Sequence, residues 1–138
     1  RQYVLPSLMN LLASNRHHEL PQRVYELGDV VHGGENKSRV SWACAEVGAG
    51  FSAAKGIVQS LLRDLGAEGS LISFRPTEES TGPWIRGRGA RVFVGDTEIG
   101  EFGEVSPAVI QSFGMRSPIH AGEFDIEKIS ESISDPLQ

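Results

Sequence analysis

Apolar side chains near the start of the chain recur at intervals of three and four. Leu5, Leu8, Met9 and Leu12 share one helical face, and this spacing predicts a helix over 5–14. Pro6 falls in its first turn, where a missing N–H leaves no hydrogen bond unmade. A polar turn, Asn15 to Gln22, leads into a strand over Arg23–His32 that Gly33 and Gly34 close. Residues 39–47 predict a second strand, apolar on both faces and hence central in a sheet. The helical period returns at Ala54, Ile57, Val58, Leu61, Leu62 and Leu65, giving a helix over 53–65 with Ser52 as N-cap and Gly66 as stop.

Leu71–Phe74 reads as a short strand, and 77–89 as a polar, glycine-containing loop ending in Arg-Gly-Arg-Gly. Arg91–Val94 and Thr97–Phe102 flank Gly95-Asp96, the pattern of a two-residue hairpin. Ser106-Pro107 opens a short helix that Gly114 ends, and 119–126 is a last strand before a frayed tail. Hairpin-length connections predict a mainly antiparallel sheet with flanking helices, an α+β fold in one domain over 1–138.

Composition narrows the class. A chain of 138 residues makes about one domain and hides roughly two-thirds of its unfolded surface from water. The single cysteine, Cys44, excludes an intramolecular disulfide framework or a cysteine zinc cage, and fits a reducing, cytoplasmic location. No apolar run approaches the ~20 residues of a bilayer span, so no membrane partner is expected. Residues 91–138 carry three basic against nine acidic side chains, a poor surface for phosphate backbones. The chain opens on Arg1, which suggests a processed chain or a piece of a longer one.

Candidate chemistry is sparse. Gly48-Ala49-Gly50-Phe51-Ser52-Ala53 fits a loose dinucleotide fingerprint, with a strand before it and a helix after it. The chain lacks the alternating βαβαβ pattern such a site needs, and a plain strand-to-helix turn explains the glycines as well. His17 and His18 are adjacent and point apart on any regular element, and no histidine pair has ligand spacing, so no metal site is expected. His120 reads as a satisfied structural histidine. Cys44, between Trp42-Ala43 and Ala45, reads as core filler with no positive neighbour to activate it. Glu26, Asp29, Glu101, Glu104, Glu123 and Asp125 lie on or beside strands. Paired, they could do acid/base work, and the plainer reading is solvent-facing alternation or partners for arginines at an interface.

Five ordered blocks carry a resemblance. Arg1-Gln2-Tyr3-Val4-Leu5-Pro6 through Leu11-Leu12, then Asn15-Arg16-His17-His18-Glu19-Leu20-Pro21-Gln22-Arg23-Val24-Tyr25-Glu26-Leu27-Gly28-Asp29, form the first. Phe51-Ser52-Ala53-Ala54-Lys55-Gly56, Arg86-Gly87-Arg88-Gly89-Ala90, Ile99-Gly100-Glu101-Phe102-Gly103-Glu104 and Gly122-Glu123-Phe124-Asp125-Ile126 follow. Together they resemble the beta chain of phenylalanyl-tRNA synthetases, in its archaeal and eukaryotic-cytosolic form.

The resemblance implies the catalytic-like module of that chain, a class II synthetase core with its motif 1-like segment missing upstream of Arg1. It also implies inactivity. Class II chemistry holds the ATP phosphates with arginines through charge-assisted bidentate hydrogen bonds. The motif 2-like segment Leu27–His32 shows an acid and a histidine instead, and the motif 3-like segment Gly122–Ile129 brings Glu123, Asp125 and Glu127. No catalytic, cofactor-binding or metal residue is therefore expected. The implied role is a non-catalytic structural module supporting an alpha-chain partner. That partner, in an α2β2 assembly, charges tRNA(Phe) with phenylalanine using ATP and Mg²⁺. Partner contacts are expected at Arg16, His17, His18, Glu26 and Asp29, local tRNA contacts at Arg86 and Arg88, and exposed apolar surface on the isolated piece. The alternative is a small nucleotide- or phosphate-binding enzyme built on Gly48–Ala53 or Arg86–Gly89.

Overall fold

The computed structural model describes residues 3–15, 20–77 and 82–133, with residue 32 by its backbone alone. Helix α1 (Leu5–Ser14) precedes the long hairpin β1 (Gln22–His32) and β2 (Glu35–Ala45). Helix α2 (Phe51–Asp64) and a 3₁₀ turn (Gly69–Leu71) lead to β3 (Ile72–Pro76), β4 (Trp84–Val94) and β5 (Thr97–Val105). Helix α3 (Pro107–Ser112), β6 (Ile119–Asp125) and α4 (Ile126–Ile133) complete the order. One six-stranded sheet runs β1-β2-β6-β5-β4-β3, antiparallel at every junction, so the fold is α+β.

Both faces of the sheet are covered. Leu5, Leu8, Met9 and Leu12 of α1 pack on Ala43, Ala45, Ile119 and Ala121, with Ile110 and Met115 around α3. On the other face Ala54, Val58 and Leu62 of α2 meet Trp42, Cys44, Phe102 and Phe124, and Ile129 and Ile133 of α4 join them. Two-sided cover explains why β2 is apolar without alternation: every residue from Ser41 to Ala45 is buried. Its place between β1 and β6 agrees with the central position read from the sequence.

Three expectations need correction. Residues 84–89 belong to β4 rather than to a loop. Their glycines seat the Trp84 indole: a Cβ on Gly89 would lie 2.6 Å from its Cδ1, and one on Gly103 2.9 Å from its Cδ2. The frayed tail after β6 is helix α4, whose start is capped by Asp125 Oδ1 accepting from Lys128 N–H at 3.0 Å. Helix α2 begins at Phe51, so Ser52 lies inside it and Gly50 holds the N-cap position. Gly66 does stop α2, at φ +106°, with Ala67 N–H donating back to the Leu62 carbonyl at 2.9 Å. Residues 78–81 of the expected loop and the residues after 133 lie outside the described set. Among the described residues no helix is long and apolar enough to cross a membrane.

Candidate functional site

Strands β2 and β6 pair from Arg39–Asp125 to Ala45–Ile119, and this register builds a charged cluster on each face of the sheet. The cluster on the α1 face centres on Glu123, only 2% exposed. Its Oε1 accepts the Leu5 N–H at the start of α1, an end whose Val4 N-cap supplies no side chain. Its Oε2 accepts from Arg39 Nη1 at 3.0 Å. Burial pushes the Glu123 carboxyl above the usual range, while the Leu5 amide and Arg39 pull it down, and burial prevails. Beside it Tyr3 donates to Glu101 and is pushed up to about 12 by burial and that carboxylate. Trp84 Nε1 donates to Glu101 as well, at 3.4 Å. Tyr3, Arg39, Glu101 and Glu123 line a cleft of 510 Å³ that Lys37, Glu98 and Lys128 border. Glu123 is thus an arginine partner, but one inside the sheet domain and not at an interface.

The cluster on the α2 face joins Cys44, Glu46 and His120, whose ligand-capable atoms all lie within 4.8 Å of one another. Cys44 stands directly opposite both Arg23 on β1 and His120 on β6. The positive neighbour that the sequence did not reveal is therefore present, yet burial wins and the thiol is pushed up. Glu46 lies 3.8 Å from both Arg23 Nη2 and His120 Nε2. His120 is fully buried, packed edge-on to Trp42 with centroids 5.1 Å apart. Its Nδ1 accepts the Gly50 N–H at 3.3 Å, but its Nε2 finds no hydrogen-bond partner among the described residues. The expectation of a satisfied histidine is corrected on that side of the ring. Desolvation moves its pKa down, so the neutral form is favoured.

The other sequence candidates fall apart in space. The Gly48–Ala53 turn connects β2 to α2 in a wholly antiparallel sheet. Its Gly50 amide is engaged by His120, and a Cβ there would sit 3.7 Å from Glu104 Oε2, an acid at the place a phosphate would need. Arg88 is held by that same Glu104 at 2.9 Å, and Arg86 is exposed two residues away along β4. Glu26 and Asp29 point to opposite faces of β1: Glu26 stands opposite Ser41, and exposed Asp29 accepts from Ser38 Oγ at 3.0 Å. Arg16, His17 and His18 lie outside the described residues. Sequence reasoning missed Arg39 and the Cys44–Glu46–His120 group. The 44/46 alternation on one strand face was a visible signal, but the register that adds His120 was not.

What the geometry defines is an α+β sheet domain whose α1-face charges are committed to internal pairing. The chain belongs to the phenylalanyl tRNA synthetase beta chain CLM domain family, whose model matches residues 1–126. It is 40% identical over 133 residues to the phenylalanine–tRNA ligase beta subunit of Methanopyrus kandleri, covering 91% of this chain and 22% of that protein. The beta subunit of Methanothrix thermoacetophila is likewise 40% identical over 126 residues, with the same two coverages. That of Thermoplasma acidophilum is 33% identical over 137 residues, 99% of this chain and 24% of the relative. The chain therefore spans less than a quarter of the length of these curated relatives.

Proposed function

We propose that this chain is a non-catalytic, class II-like module of a phenylalanine–tRNA ligase beta subunit. It packs against the alpha chain and supports the alpha-chain site that charges tRNA(Phe) in the cytoplasm. ATP and Mg²⁺ serve the whole ligase and not this module. The observation that carries the reading is the Arg39–Glu123 pair. The one arginine of the β1–β2 hairpin that reaches the α1-face cleft is bound at 3.0 Å by a buried glutamate of β6. A triphosphate would have to displace that carboxylate and then lie beside Glu123, Glu101 and Asp125, against Coulomb repulsion.

Partner packing has its own support. Helix α2 covers β2 but leaves the same face of β1 open, where Tyr25, Leu27 and Val31 are exposed, Leu27 by 71%. An apolar stripe on β1, the edge strand of the sheet among the described residues, suits a protein partner. Asp29 lies on that stripe and Glu26 on the opposite face, so of the two only Asp29 belongs to it. Calorimetric titration of the isolated 138-residue chain with Mg·ATP, with and without phenylalanine, should give no saturable heat at millimolar nucleotide. Saturable micromolar binding would sink the structural reading. Leu27→Ser should weaken co-purification with the alpha chain and leave thermal stability within about 0.5 kcal/mol.

A further inference from the structure

We propose that Cys44, Glu46 and His120 form a binding site for one thiophilic divalent cation of the zinc class, with water as its fourth ligand. Thiolate, imidazole and carboxylate are a donor set that such ions take, and three protein ligands leave one position open. Two independent observations point to it. The three donor atoms already lie within 4.8 Å of one another, on strands whose register fixes Cys44 against His120. His120 Nε2, wholly buried, is aimed at Glu46 Oε1 from 3.8 Å and has no hydrogen-bond partner among the described residues. That gap is too long for a hydrogen bond. It is close to the separation of two ligands on a tetrahedral ion, about 3.3–3.6 Å for metal–ligand bonds of about 2.0–2.3 Å. Rotation of the partly exposed Glu46 side chain can close the remainder.

The protons balance as follows. Gly50 N–H donates to His120 Nδ1, so the metal-free ring carries its proton on Nε2. The ion takes the Nε2 lone pair, and that proton moves to Nδ1. Glu104 stands opposite His120 on β5, and its Oε2 lies 3.7 Å from where a Gly50 Cβ would be. Turned from Arg88, which now holds its Oε2 at 2.9 Å, Glu104 would accept the relocated Nδ1–H, giving a carboxylate–histidine–metal chain in place of the long amide contact. The Cys44 thiol, pushed up by burial, gives its proton to solvent, so one proton is released per ion bound. Arg23, more than half exposed, swings to water when the cation arrives. The ion then ties the end of β2 and the turn into α2 to β6.

Cobalt(II) titration of the full-length protein, stripped with chelator, tests this directly. The difference spectrum between the parent and its Cys44→Ser variant isolates a sulfur-to-cobalt charge-transfer band that belongs to Cys44, the one cysteine of residues 1–138. The expected result is such a band with tetrahedral visible bands, saturating at one equivalent and displaced by Zn²⁺ but not by Mg²⁺. Glu46→Gln, at a partly exposed position that leaves the core intact, should weaken cobalt binding at least about tenfold. Absence of the band in excess cobalt overturns the site. So do visible cobalt bands without it, a band undiminished in Cys44→Ser, or full affinity in Glu46→Gln. Should Cys44→Ser fold poorly by circular dichroism, the Glu46→Gln titration decides alone.

Discussion

On the α1 face of β2 and β6, Glu123 has both carboxylate oxygens occupied, one by the Leu5 amide and one by Arg39. On the opposite face of the same two strands, His120 has one ring nitrogen that reaches no partner among the described residues. Both groups are buried, both shift their proton affinity toward the neutral form, and both sit beside an acid or an arginine. Burial of an ionisable group therefore does not separate structure from function here. Satisfaction of the ionisable group does. Glu123, with both oxygens engaged, holds α1 to the sheet although Ser41 Oγ opposite it reaches no partner among the described residues. The half-satisfied His120 ring leaves room for a ligand.

The largest effect should come from breaking the completed cluster. Glu123→Leu takes from the Arg39 guanidinium its buried carboxylate and leaves the first amide of α1 without this acceptor. Losing one member of a buried pair costs about 3–5 kcal/mol, and the partial exposure of Arg39 puts this case near about 3 kcal/mol. The fall in urea midpoint measures it. Adding Arg39→Met should recover part of the loss, because the largely buried guanidinium that lost its carboxylate goes with it. If the double variant is no better than the single, the helix amide and not the arginine is the main role of Glu123.

The two clusters also differ in how far the sequence disclosed them. Helix α1 and the antiparallel character of the sheet were legible from periodicity and turn spacing, since local pattern alone dictates them. Helix α4 was missed although Asp125 followed by Ile126, Ile129 and Ile133 carries a cap and an apolar stripe, because a short terminal helix draws its stability from packing on the sheet. The Arg-Gly-Arg-Gly strand was read as a loop because glycine weakens strands except where a ring such as Trp84 lies over it. Arg39–Glu123 and Cys44–His120 depend on the β2–β6 register, which joins segments some eighty residues apart and leaves no local mark.

Acid titration sharpens the comparison, because the two groups act with opposite sign. His120 is held below its ordinary 6.5 by burial, with Glu46 and Glu104 opposing and Arg23 assisting. The unfolded chain then binds the proton more readily, so His120 withdraws stability as pH falls below 6.5 toward its depressed folded value. Glu123 is raised above its ordinary 4.5, so its buried carboxylate withdraws stability as pH rises through the window above that value. His120→Gln should flatten the loss of stability between pH 6.5 and 5, leaving the Glu123 slope exposed. Urea midpoints at half-unit pH intervals read both. A His120→Gln curve parallel to that of the parent would remove His120 from the account.

The smallest effect tests how complete the α1-face cluster is. Ser41 stands directly opposite Glu123 on β2, fully buried, and its hydroxyl has no hydrogen-bond partner among the described residues. If the Leu5 amide and Arg39 already satisfy the carboxylate, that hydroxyl is surplus and its desolvation goes unrepaid. Ser41→Ala should then be neutral or stabilise the protein by up to about 1 kcal/mol, with the pH slope assigned to Glu123 unchanged. A loss of about 1 kcal/mol or more would place the hydroxyl inside the network, rotated toward Glu123. The cluster would then share with its opposite face a polar group whose partner is acquired only as the side chains move.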